Sequence, residues 1–63
     1  MNREDGYGFY GLALVAAKSA DEQALIENLE KAISRSEYLK ERAINEVIFK
    51  DYLDTPRFMR VFK

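Results

Sequence analysis

The stretch Asp21–Ile33, DEQALIENLEKAI, limits the possible folds of this chain more than any other. Leu25, Ile26, Leu29, Ala32 and Ile33 recur at the i, i+3, i+4, i+7 spacing that gathers side chains on one face of a helix. Glu22, Gln23, Glu27, Asn28, Glu30 and Lys31 fill the other face. Ser19 followed by Glu22 reads as a capping box, hydroxyl and carboxylate each satisfying an otherwise unpaired backbone N–H. Asp21 and Glu22 add negative charge at the positive end of the helix dipole. Glu27 and Lys31 form an i,i+4 pair worth a few tenths of a kcal/mol.

The segments on either side are expected to pack onto this helix. Met1–Asp5 is polar, and residues 1–6 are expected to be flexible. Gly6, Gly8 and Gly11 interleave with Tyr7, Phe9 and Tyr10. Each glycine weakens a helix by about 1 kcal/mol relative to alanine, so the first helix begins between Tyr7 and Tyr10. The three aromatics read as core or lip packing, with a ligand-stacking role as the alternative. Leu12–Lys18, LALVAAK, is strongly helical in composition. Ala13, Ala16 and Ala17 form a small-residue face that lets another helix come close. Ser19-Ala20 is so short a link that the two helices must lie antiparallel, an αα-hairpin over residues 7–34.

Ser34-Arg35-Ser36 is a natural break, and Ser34 with Glu37, or Ser36, caps the next helical segment. Leu39, Ala43, Ile44, Val47 and Ile48 continue the helical spacing, with Glu37, Lys40, Glu41 and Arg42 outward. At Asn45 the segment either kinks and restarts or continues to about Leu53; a restart is the preferred reading. Asp54-Thr55-Pro56 is a firmer boundary, since proline disfavours a helical residue before it and suits a first turn. Thr55 or Asp54 then caps a last short helix, Pro56–Phe62. It carries Phe58, Val61 and Phe62 on one side, Arg57 and Arg60 on the other, and Met59 between. The expectation is an all-α domain over residues 1–63, a helical hairpin followed by a C-terminal helical cap over 36–62.

Phe9, Leu12, Ala13, Ala17, Leu29 and Ala32 are spaced like signature positions of the tetratricopeptide repeat, and the hairpin resembles one such repeat. The downstream YLKERAINEVIFKDYLDTPRFMRVF resembles the C-terminal capping segment of such arrays, with Phe49, Leu53, Pro56 and Phe58 in the expected places. The resemblance covers about Phe9 to Phe62. Ala16 stands where the repeat carries a large residue, and Leu25 where it carries a small one. The resemblance implies a protein-binding role. Arrays use about three or more repeats to form a concave groove. A single repeat cannot, so peptide clamping is not carried over.

Composition narrows the function. The chain has no cysteine and no histidine, which removes disulfides, thiolates, the usual zinc sites and every Ser–His or Cys–His arrangement. Ten basic against eleven acidic residues give a net charge of −1, against general nucleic-acid binding. The uncharged run Gly6–Ala17 is too short to span a bilayer, and the N-terminus does not resemble a signal peptide. Glu46, Asp51 and Asp54 read as a solvated face rather than a metal or acid–base site. No cofactor, metal or catalytic residue is expected, and the protein reads as cytoplasmic.

Below about 70–80 residues one core seldom supplies more than roughly 3–5 kcal/mol. The chain has 63 residues and no disulfide, so a protein partner, most simply a second copy, is expected to add burial. The candidate contact residues are Phe9, Tyr10, Ala13, Ala17, Phe58, Met59 and Phe62. A basic edge, Lys50, Arg57, Arg60 and Lys63, is the alternative, meeting nucleic acid or an acidic partner.

Overall fold

The computed structural model describes residues 6–62 and is all-α. The expectations for Met1–Asp5 and for Lys63 lie outside the described residues. Helix α1 spans Tyr7–Lys18 and α2 spans Glu22–Arg35, packed against each other as a hairpin. Then come α3, Leu39–Ile44, a 3₁₀ segment, Val47–Tyr52, and α4, Pro56–Arg60.

Helix α1 begins at Tyr7 because Gly6 makes the start possible. Gly6 has φ of 111°, a left-handed conformation that L side chains rarely adopt. A Cβ there would lie 2.6 Å from the carbonyl oxygen of Ala32 and 3.1 Å from both Leu39 Cδ1 and Ser36 Oγ. The start of α1 is thus pressed onto the end of α2 and the approach to α3.

The connection after α1 corrects the capping box expected at Ser19. Asp21 donates its N–H to the Ala16 carbonyl at 2.8 Å and Ala20 donates to Ala17 at 3.1 Å, the paired bonds of a Schellman motif. Ala20 supplies the left-handed residue, φ 59°. Ser19 therefore terminates α1, its N–H going to Val15 and Ala16. The cap of α2 is Asp21, whose Oδ1 accepts from the Ala24 N–H at 3.2 Å. Because the motif consumes both Ser19 and Ala20, α2 cannot start before Asp21.

The second expected cap is also displaced. Helix α2 runs through Ser34 to Arg35, so Ser34 lies inside it. Ser36 ends α2 in an extended conformation, and its carbonyl accepts from the Leu39 N–H at 2.9 Å. No serine side chain caps α3, which starts at Leu39. Beyond α3 the chain restarts at Asn45. Asn45 folds its side-chain amide onto the Glu41 carbonyl at 3.0 Å, and the next residue, Glu46, is extended. That bond occupies a carbonyl at the end of α3, so Asn45 acts as a stop. Thr55 precedes α4 without a side-chain cap, and Pro56 occupies the first turn, where its missing N–H costs nothing. Val61 and Phe62 form a turn beyond α4.

The core closes within one chain. Leu25, Leu29, Leu39, Phe49 and Phe58 are its largest fully buried side chains, with Ala13, Ala32 and Ala43 between them. Small residues on α1 facing large ones on α2 let the two helices approach, and the C-terminal half lays Phe49 and Phe58 over the hairpin.

Candidate interaction surfaces

The residues expected to meet a partner fall into three groups. Tyr10, Ala13 and Phe58 are buried inside the chain's own core. Phe9, Ala17 and Phe62 are half-buried, and Met59 is exposed. Ala16, part of the expected small-residue contact face, is likewise buried. That face packs within the chain rather than presenting itself to solvent.

The buried aromatics form a chain of edge contacts. Tyr10 meets Phe49 at 5.8 Å between ring centroids, Phe49 meets Phe58 at 5.7 Å, and Phe58 meets Phe62 at 5.3 Å, all steeply inclined. Inclined rings bring positive edges to negative faces, the favoured arrangement for aromatic pairs. The series leads from α1 through the 3₁₀ segment to α4, binding the C-terminal half to the hairpin. The Tyr10 hydroxyl donates to Glu46 Oε1 at 3.0 Å. Burial first, and then the bond to the Glu46 carboxylate, hold this phenol neutral well above its ordinary range. The Tyr52 hydroxyl reaches the Ala17 carbonyl at 3.5 Å.

The basic edge is solvent-exposed at Lys50, Arg57 and Arg60. Asp51 and Asp54 are exposed as well, while Glu46 is engaged by Tyr10. Among the described residues no group of three acidic, histidine or cysteine side chains could hold a metal ion. Nor is any described helix long and apolar enough to cross a membrane.

Two surfaces stand out that residue-by-residue reading did not single out. The first is the outer face of α1. Leu12 is 54% exposed and Val15 60% exposed. Gly8 and Gly11 lie on the same side, and a Cβ added at either meets no atom within 4 Å. The signal was present in the uncharged run Gly6–Ala17. A helix apolar on every side, with neighbours on only part of its circumference, must leave some of that surface uncovered.

The second is an open recess of about 530 Å³ lined by Phe9, Glu30, Lys31, Ser34 and Arg35. Lys31 Nζ lies 5.7 Å from the centre of the Phe9 ring and Arg35 Cζ lies 5.2 Å from it. Lys31 and Arg35 stand one turn apart on α2, so both reach the same ring. Lys31, expected to pair with Glu27, is found at this ring, and Gln23 donates to Glu27 Oε2 at 3.3 Å.

Comparison with protein-family models, curated proteins and solved structures finds no match to this chain.

Proposed function

We propose that this chain is a non-catalytic protein–protein interaction module, a cytoplasmic adaptor that docks through the outer face of α1, most simply onto a second copy of itself. The observation that carries the reading is the exposure of Leu12 and Val15 on a helix with no charge from Gly6 to Ala17. Neither partner has to strip water from a charge on that stretch when two such faces meet. Gly8 and Gly11, in the turn before Leu12, leave bare backbone beside the two side chains, room for a neighbouring helix to come close.

Kinship with the tetratricopeptide repeat belongs to the same proposal. In such arrays each hairpin covers the next, and a single hairpin leaves one side uncovered. Self-association would supply that cover.

Solution mass over a dilution series tests the idea. The wild-type chain, 7.3 kDa as a monomer, should rise toward twice that mass with concentration. Val15→Asp should stay at the monomer mass with unchanged helical circular dichroism. A wild type that remains monomeric at high micromolar concentration would sink self-association. Salt distinguishes the surfaces, because an apolar contact changes little while phosphate contacts through Lys50, Arg57 and Arg60 weaken steeply.

A further inference from the structure

We propose that the recess beside Phe9 binds a carboxylate, carried by an acidic segment of a partner protein, between Lys31 and Arg35. This site is separate from the outer face of α1 and from the basic C-terminal edge. It needs no second copy of the chain.

Lys31 and Arg35 bring like charges together over one ring. Like charges one turn apart on a helix repel, so the arrangement leaves a local excess of positive charge. Neither cation is in an ion pair among the described residues; the pair seen there is Glu37–Lys40 at 3.7 Å. Glu30 is the one acidic residue in the lining. Two cations against one carboxylate leave the recess one positive charge to spare.

That balance suits a singly charged ligand. A carboxylate would neutralise the excess, whereas a doubly charged phosphate would meet Glu30 with one negative charge left over. The guanidinium of Arg35 offers parallel N–H donors that match the two oxygens of a carboxylate, and Lys31 adds a point charge. The Ser34 hydroxyl makes no hydrogen bond among the described residues and stands in the same lining as a further donor. The hairpin sets half-buried Phe9 of α1 against this turn of α2, and both long, exposed side chains lie near its ring. The recess is open along one side, which fits a side chain projecting from a peptide better than an enclosed small molecule.

The test is an amide-resolved NMR titration of the full chain with N-acetylated, C-amidated tetraglutamate. Tetraglutamine and inorganic phosphate serve as parallel arms. Saturable shifts should centre on Phe9, Lys31, Ser34 and Arg35 with tetraglutamate, vanish with tetraglutamine and be weaker with phosphate. They should fade as salt rises. The double variant Lys31→Gln, Arg35→Gln should bind about tenfold more weakly or worse, the loss of one good charged contact or more, with helical circular dichroism unchanged. Four results would each overturn the proposal: no saturable shift, shifts centred elsewhere, equal affinity in the double variant, or tighter binding of phosphate. Val15→Asp should bind tetraglutamate as the wild type does. Failure of self-association and failure of this site are therefore read separately.

Discussion

The hydroxyl of Tyr10 donates a 3.0 Å hydrogen bond to Glu46 across 36 residues of sequence. It joins α1 to the point where the chain turns from α3 into the 3₁₀ segment. The Tyr10 ring is only 3% exposed, so the phenol depends on this partner in place of water. Tyr10→Phe keeps the ring against Phe49 and removes the bond. Expected is a loss of roughly 1–2 kcal/mol, read from urea unfolding midpoints. An unchanged midpoint would remove this bond from the supports of the fold.

The same phenol gives the fold an alkaline limit. Its folded pKa is raised above the unfolded value of about 10, so the unfolded chain releases the proton first. The contribution is complete below about pH 10 and is lost as pH climbs toward the raised folded value. Melting temperatures of wild type and Tyr10→Phe should run parallel through neutral pH and converge above pH of about 10. Parallel curves throughout the alkaline range would contradict the assignment.

Glycine is required at one position of the first helical region and not at two others. Gly6→Ala places a methyl group against the Ala32 carbonyl in a left-handed conformation. It should cost more than about 1 kcal/mol. Gly8→Ala and Gly11→Ala point into open space and should each stabilise the monomer by up to about 1 kcal/mol. Thermal melts at a concentration where the chain is monomeric check both signs. A neutral Gly6→Ala would mean that the start of α1 is not pressed onto α2.

Ala20 holds a left-handed conformation between the first two helices. An L residue is disfavoured there by roughly 1–2 kcal/mol, part of which glycine gives back as extra freedom in the unfolded chain. Ala20→Gly should therefore raise stability by about 0.5–1 kcal/mol. A lower melting temperature would argue against the Schellman geometry.

The core carries the largest expected effects. Leu29 is fully buried, and Leu29→Ala should cost about 2–5 kcal/mol by leaving a cavity. Phe58→Ala, which also breaks the contacts with Phe49 and Phe62, should cost about 3–5 kcal/mol. Met59 beside it is 37% exposed, and Met59→Ala should fall within about 0.5 kcal/mol. Equal effects at Phe58 and Met59 would contradict the facing of α4.

Local rules carried the helices but not their joints. The apolar spacing of Leu25, Ile26, Leu29 and Ala32 is a property of one helix and marks a buried face wherever the chain goes. Caps are less determinate, because Ser19, Asp21, Ser34 and Ser36 all qualify by type. The choice between them rests on where the preceding helix ends: Ala20 turning left-handed closes α1 after Lys18, and α2 running on to Arg35 takes Ser34 inside it. The expected contact residues show the same division. Tyr10, Ala13 and Phe58 are apolar or aromatic in any reading, yet the packing of α1 against both α2 and the C-terminal half decided that they lie inside. The recess joins Phe9 to Lys31 and Arg35, residues from separate helices whose approach no local pattern encodes.

The order of residues alone establishes that the chain is helical, where the hairpin bends and where Pro56 opens the last helix. Spacing, connection length and proline chemistry act over a few residues, so they can be read along a line. Folding in three dimensions chose which aromatics are consumed in the core, which side of α1 stays bare and which two cations meet at Phe9. Those outcomes depend on distances between segments far apart in the chain, and packing alone sets those distances.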